Sequence, residues 1–110
     1  MALHEEELDH VKMILKEFCQ KRTDDSVKIE FHVRGNRATL VESRPLFIDP
    51  TLLNCVNVAQ FEFNPGLQIW TLYWYDQKNR RQPYPTGRNR DTIEKLVAEV
   101  EIDPTGIFWE

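Results

Sequence analysis

The sequence has few of the features that mark a membrane or a secreted protein. No apolar run approaches the roughly 20 residues that a membrane-spanning helix needs, and the mean hydropathy is −0.54. The N-terminal segment is acidic, with Glu5, Glu6 and Glu7 in a row, whereas a secretory signal starts with basic residues and continues into an apolar stretch. We therefore expect a protein that spans no membrane and stays in the cytoplasm.

Cysteine and histidine are also scarce. The two cysteines, Cys19 and Cys55, are too few and too far apart for the disulfide scaffold of a small secreted domain. Together with His4, His10 and His32 they form no CxxC or HxxxH spacing. The sequence therefore predicts no metal site, and no other cofactor is expected.

The composition is that of one folded domain. Of the 110 residues, 41% are hydrophobic and 29% are charged, which excludes disorder, collagen and coiled coil as the main class. No repeat, low-complexity tract or linker divides the chain, so we predict a single domain over residues 1–110. The net charge of −4 argues against a dedicated nucleic-acid binder, but residues 67–90 carry five basic residues against one acid.

The first half of the chain predicts a helix and then a β-hairpin. Apolar residues recur at helical spacing from Leu8 to Phe18, so a helix should end near Thr23. Alternating apolar and polar residues then predict two strands joined by a turn at Gly35-Asn36. This turn places four predicted pairs on one face: Val33 with Ala38, Phe31 with Leu40, Ile29 with Glu42, and Val27 with Arg44.

Three more strands are predicted in the second half. Cys55–Phe63 and Leu67–Tyr75 are strand-like on either side of an Asn64-Pro65-Gly66 turn. The second of these strands is apolar or aromatic on both faces, which is typical of a central strand. A short fifth strand then ends at Pro83, because proline cannot donate to a sheet.

The chain closes with a helix and an apolar tail, which we expect to dock back on the sheet or on a second subunit. Asp91 with Glu94 fits a capping box at the helix start, and Asp103-Pro104 ends the helix. We predict an α+β fold: an N-terminal helix, a five-stranded antiparallel meander sheet and a C-terminal helix, with both helices packed on one sheet face. The residues predicted to be buried are Phe31, Leu40, Trp70, Leu72, Ile93, Leu96 and Val97.

Four segments carry a family resemblance: Glu42-Ser43-Arg44-Pro45 at a strand end, Trp70-Thr71-Leu72-Tyr73-Trp74 in the central strand, Tyr84 at the fifth strand, and Asp103-Pro104-Thr105-Gly106-Ile107-Phe108-Trp109 at the chain end. Through them the sequence resembles the small bacterial proteins of domain of unknown function family 3024, over nearly the whole chain. The resemblance implies a small bacterial domain, and no catalytic residues come with it.

Glu42 and Arg44 form the first candidate binding site. In the predicted register both lie on the inward face of their strand, beside Leu40. Because an unpaired buried charge is costly, we expect Arg44 to be buried, to pair with Glu42 or another carboxylate, and to lie near the C-terminal segment. The pair then either anchors the Pro45 turn or forms a pocket in which Arg44 binds an anion.

Aromatic and basic side chains of the central sheet form the second candidate site. Arginines beside exposed sheet aromatics are one way in which proteins stack single-stranded bases. The alternative is that the aromatics belong to the core and the arginines to a solvated turn. The candidate residues are Tyr73, Tyr75, Arg80, Arg81, Arg88 and Arg90.

The sequence favours binding over catalysis, because no motif brings a nucleophile, a base and an orienting group together. We expect a small non-enzymatic binding or protein-interaction domain with a protein partner or a second copy, because the helices leave apolar sheet surface uncovered. A homodimer would cover it. The alternative is a nucleic-acid or small-anion binder that uses the arginine-rich segment 78–90 and the sheet aromatics.

Overall fold

A computed structural model describes residues 3–109, which form two helices and an antiparallel sheet. The elements are α1 (Glu5–Arg22), β1 (Lys28–Arg34), β2 (Arg37–Pro45), β3 (Leu53–Asn64), β4 (Ile69–Tyr75), β5 (Arg81–Pro83), β6 (Arg90–Asp91) and α2 (Ile93–Ile102). The strands pair in the order β1-β2-β3-β4-β5, and the two-residue β6 also pairs with β4. The predicted α+β class is confirmed. Over this part of the chain, neither helix is long and apolar enough to cross a membrane.

Helix α1 forms where the sequence predicts it. Acidic residues occupy its first turn and basic residues its last, which suits the helix dipole. Its buried stripe consists of Val11, Leu15, Phe18 and Cys19. The helix ends before Thr23, whose hydroxyl accepts the backbone N–H of Ile29. This bond ties the helix end to β1, where the sheet begins.

The first hairpin has the predicted register. Val33 pairs with Ala38, Phe31 with Leu40, and Ile29 with Glu42. The turn is possible because Gly35 adopts a positive φ of 61°, which costs glycine little. The sequence therefore specifies this pairing locally, through the turn and the alternation of the two strands.

The pairing of β2 with β3 contains an irregularity. Leu40 pairs with Ala59 and Val41 with Asn57, so Val58 is an extra residue on β3. Strand β3 has 12 residues, but β4 pairs with it only from Ala59 onward. The first part of β3 therefore extends past the end of β4 with β2 alone beside it.

The two faces of the sheet differ. Six of the seven residues predicted to be buried are buried, and Phe31 is half-buried because it lies on the edge strand β1. The opposite face is polar in β2 and β3, where Thr39 pairs with Gln60 and Arg37 with Glu62. The buried residues of the helix-covered face are Ile29, Ala38, Leu40, Ala59, Phe61, Phe63, Trp70 and Leu72.

Helix α2 begins one residue later than predicted. Its N-cap is Thr92, whose hydroxyl accepts the N–H of Lys95 at 3.4 Å, so the expected capping box of Asp91 and Glu94 is wrong. The helix ends at Asp103, which adopts the left-handed conformation with φ 49°. A residue in this conformation turns the chain sharply after a helix.

The tail folds back against the core, as the sequence predicts. The Asp103 carboxylate accepts the backbone N–H groups of Ile107, Phe108 and Trp109 at 3.0–3.3 Å. The Phe108 ring stacks on Tyr84 with centroids 5.3 Å apart, and the Trp109 indole donates to the Val100 carbonyl at 2.7 Å. The tail thus contributes to the core instead of leaving apolar surface exposed.

Candidate interaction site

The β2–β3 hairpin projects beyond the rest of the sheet as an arm, which we define as residues 41–58. Its tip, residues 46–52, displays large apolar side chains to solvent. Phe47 is fully exposed at 101% and Ile48 is 94% exposed, and Leu46 and Leu52 are also exposed. A contiguous apolar patch of this kind is uncommon on a monomeric protein unless something binds it.

The tip is held in one conformation by hydrogen bonds. Leu46 N–H donates to the Leu52 carbonyl at 2.9 Å, and Leu52 N–H donates to the Asp49 carbonyl at 3.0 Å. The Asp49 carboxylate accepts the hydroxyl and the N–H of Thr51, and these bonds lower the pKa of Asp49 below its usual value. The apolar side chains are therefore presented on an ordered turn.

The arm also has a free strand edge. Residues Leu53–Asn57 pair with β2 on one side, and no strand within residues 3–109 pairs with their other side. Backbone N–H and C=O groups of alternate residues point toward such an edge and can accept another strand. None of these residues carries a charge, and Cys55 and Val56 are exposed.

A groove of about 1150 Å³ lies between this edge, the β4–β5 turn and the chain end. Asn57 reaches across part of it and donates from its amide to Asn79 Oδ1 at 3.1 Å. Its apolar lining includes Val58, Trp74 and Ile107. Four of the site residues predicted from the sequence also line it: Glu42, Arg44, Tyr75 and Arg80.

Glu42 and Arg44 pair as expected, at the base of the arm. The Arg44 Nε lies 2.7 Å from Glu42 Oε1, and this hydrogen bond raises the pKa of Arg44. The expected burial of Arg44 is wrong, because its side chain is 54% exposed. Glu42 is only 18% exposed, whereas Arg44 lies two residues nearer the tip, where the inward face of β2 is open to solvent.

Arg80 is held in the β4–β5 turn. The Asp76 carboxylate accepts the Arg80 backbone N–H at 2.9 Å, its Nε–H at 3.2 Å, and the N–H groups of Lys78 and Gln82. These bonds, above all the one from the Arg80 backbone, lower the pKa of Asp76. Arg80 therefore stabilises a turn that forms one wall of the groove.

Tyr73 and Arg81 come together on the polar face of the sheet. The Arg81 guanidinium carbon lies 3.9 Å from the Tyr73 ring centroid, a cation–π contact. Arg81 Nη1 also donates to Gln60 at 2.9 Å and to Glu62 at 3.2 Å. The aromatic face and the guanidinium are thus already engaged within the protein.

Glu62 is the acceptor shared by this polar cluster. Arg37 donates to it at 2.8 Å, and the Tyr73 hydroxyl donates at 3.2 Å. Partial burial alone would raise the pKa of Glu62, but the bond from Arg37 and the charges of Arg81 and Arg37 together lower it.

The remaining arginines of segment 78–90 lie apart from each other. Arg90 pairs with Thr71 of β4, on the polar face of the sheet. Arg88 is exposed and lies 3.7 Å from Glu99 of α2, on the other side of the molecule. The structure therefore divides the arginine-rich segment among a turn, a sheet face and a helix surface.

The cysteines and acidic residues do not assemble into a metal site. Among residues 3–109, no group of three or more His, Cys, Asp or Glu side chains could hold a metal ion. Burial, reinforced by the charge of Glu30, raises the pKa of the Cys19 thiol to about 11, which keeps it unreactive. Cys55 is free and exposed on the arm, with its sulfur 3.2 Å from the Ser43 hydroxyl.

Comparison with known proteins identifies one family. The family model described as Domain of unknown function (DUF3024) matches residues 3–110. The chain belongs to the DUF3024 family. No curated protein and no solved structure gives a significant match.

The DUF3024 chain has an exposed apolar arm that sequence reasoning did not assign to a site. The exposure of the apolar residues 46–48 depends on β3 being longer than β4. The sequence does contain a signal for this apolar arm, because Asp49 is the sole charged residue from Pro45 to Phe61. Such a run is typical of a buried strand pair, and here it belongs to a DUF3024 arm that the body leaves uncovered.

Proposed function

We propose that the protein is a cytoplasmic protein-interaction domain that acts by binding rather than by catalysis, and that the arm is its contact element. The observation that carries the proposal is the tip, where Phe47 and Ile48 are almost fully exposed on a turn fixed by hydrogen bonds. Burying such side chains against a partner releases about 1.5–3 kcal/mol for each.

The free edge of Leu53–Asn57 supports the same function. Many domains bind an extended segment by adding it to an open sheet edge, with main-chain hydrogen bonds giving affinity and side-chain pockets giving specificity. The groove beside this edge has room for a strand and is lined by apolar and polar side chains. The arm therefore offers a partner both a hydrogen-bonding edge and an apolar anchor.

The nucleic-acid or small-anion alternative has less support. Binding to phosphates needs basic side chains that are free to replace counterions. Arg80, Arg81 and Arg88 each lie within 3.7 Å of a carboxylate oxygen of the protein itself, so a phosphate would have to compete with that carboxylate.

Photo-crosslinking in bacterial cells tests the proposal. A photoreactive phenylalanine analogue at Phe47 should form covalent adducts with another protein chain. The same analogue at Ile102, an exposed apolar residue of α2 outside the arm, is the matched control and should give none. Equal labelling at the two positions, or no protein adduct at Phe47, would contradict an interaction through the arm.

A further inference from the structure

We propose, as a step that rests on the proposed function, that the partner of the arm is the arm of a second copy. In this arrangement the two free edges pair antiparallel about a two-fold axis at Cys55. The tip of each arm then enters the groove of the other copy.

The position of the axis follows from the free edge. The unpaired segment runs from Leu53 to Asn57, and Cys55 is its midpoint. Antiparallel pairing of this segment with itself is complete when Leu53 of one copy lies opposite Asn57 of the other, which places Cys55 opposite Cys55. A two-fold interface of this kind uses the same surface twice, so one exposed edge is sufficient to build it.

The charges of the chain favour this surface over others for contact between copies. Each copy carries a net charge of −4, so two copies repel each other weakly at most surfaces. The segment from Leu53 to Asn57 contains no charge, and like charges opposite each other would otherwise destabilise strand pairing. Two identical arms can therefore approach each other at this edge without a direct electrostatic cost.

The same pairing brings the apolar tip to an apolar surface. Strands advance about 3.3 Å per residue, so the tip, which directly precedes Leu53, reaches just beyond Asn57 of the second copy. There the groove is lined by Val58, Trp74 and Ile107. One arrangement thus covers the free edge, the tip and the groove together.

The area is sufficient for a stable pair. Six apolar side chains of the arm are exposed: Leu46, Phe47, Ile48, Leu52, Leu53 and Val56. If fully covered, they would bury on the order of 700 Å² per copy, or about 1,400 Å² for the dimer, within the range of stable protein interfaces.

Charge substitutions at the axis give the decisive test. Sedimentation should show the wild-type chain at twice the mass of the 13.1-kDa monomer. Cys55→Lys and Cys55→Glu each place like charges opposite each other across the axis, and each should raise the dissociation constant of the dimer about tenfold or more. An equimolar mixture of the two should recover the dimer, because Lys then lies opposite Glu. Ile102→Lys, a matched exposed control, should remain dimeric.

Two further measurements guard against a misfolded variant. Phe47→Asp changes a side chain that is fully exposed in the monomer, so it should keep the circular dichroism spectrum of the wild type and still lose the dimer. A short bismaleimide should join two wild-type chains through Cys55, whereas Cys55→Ser should give no product, because Cys19 is buried.

The outcomes separate this inference from the proposed function. A wild-type chain that stays monomeric at every accessible concentration, or a mixture of the Lys and Glu variants that fails to pair, overturns self-association. If the crosslinker at Phe47 then captures a different protein, the proposed function stands. If it captures no chain of any kind, both proposals are wrong.

Discussion

The sheet body and the arm both carry large apolar side chains, but only the body encloses them. Phe61, Trp70 and Leu72 lie under the two helices and are buried, whereas Phe47 and Ile48 of the tip are exposed. The polar groups differ in the same way. Side chains on the polar face of the body hydrogen-bond to one another, whereas the outward backbone groups of Leu53–Asn57 are not paired by β4. The difference teaches that the apolar residues of the body specify the fold, while those of the arm are available for an external contact.

Strand β1, an edge strand of the same sheet, extends the comparison. Strand β1 carries Lys28, Glu30 and Arg34 along an edge strand, and Lys28 lies 2.8 Å from Glu30. Charged residues on an edge strand discourage pairing with other chains. The edge of the arm has no such residue, so β1 is protected against pairing whereas the edge of the arm can accept a strand.

The largest expected effect separates the two regions by stability. Trp70→Ala removes a side chain that packs on Phe63 in the core, and it should lower the free energy of unfolding by about 3–5 kcal/mol. Phe47→Ala, its counterpart in the arm, should leave the free energy of unfolding unchanged when the proteins are measured at a concentration low enough for the monomer to dominate. Chemical denaturation of both variants checks this, and a destabilised Phe47→Ala would mean that the tip packs on the body.

A smaller effect on stability is expected from substituting two carboxylates whose pKa values are both lowered, Glu62 in the body and Asp49 in the arm. Glu62 of the body is shared by two arginines, so Glu62→Gln should cost about 1–2 kcal/mol, the scale of hydrogen bonds to charged groups. Asp49 bonds only within the tip, so Asp49→Asn should leave global stability near wild type.

The pH dependence follows from the direction of the Glu62 shift. A carboxylate with a lowered pKa in the folded state contributes stability above its unfolded pKa of about 4.3 and loses it as the pH falls through the folded value. Thermal melts from pH 6 downward, to about pH 2, should therefore show that the melting temperature of Glu62→Gln falls less steeply with decreasing pH than that of the wild type. Parallel acid curves for the two proteins would contradict a role for Glu62.

The smallest effect is expected where the arm meets the body. The Arg44 side chain of the ion pair with Glu42 is 54% exposed, and ion pairs open to solvent contribute little to stability. A double-mutant cycle with Arg44→Met and Glu42→Gln should give no resolvable coupling in the unfolding midpoint. Clear coupling would show that the base of the arm is packed as tightly as the body.

Local signals explain what the sequence predicted correctly. The register of the first hairpin depends on one turn and the alternation of two strands, and α1 depends on its own apolar stripe. The folded-back tail was predicted because apolar residues follow a helix stop. The N-cap of α2 is an equally local feature, but its prediction was wrong by one residue. Thr92 and Asp91 are both good N-cap residues, and the choice between them depends on the pairing of β6 with β4.

Long-range pairing explains what the sequence did not predict. The extra residue at Val58 and the early start of β3 at Leu53 depend on where β4 stops, which no pattern within β3 encodes. The exposure of Arg44 has the same origin, because alternation assigns a face but not what covers it. The division of the arginine-rich segment likewise depends on carboxylates from three separate elements, Glu62, Asp76 and Glu99.

The contact between α1 and the tail has a consequence for how the protein is made. Phe18 packs against Trp109 with ring centroids 6.3 Å apart, and the Arg22 guanidinium lies 3.9 Å from the Trp109 ring centroid. These residues are separated by almost the whole chain, so loop closure over that distance precedes the contact. During translation, α1 leaves the ribosome long before residue 109 does. Its buried stripe must therefore remain without part of its final cover until the tail emerges.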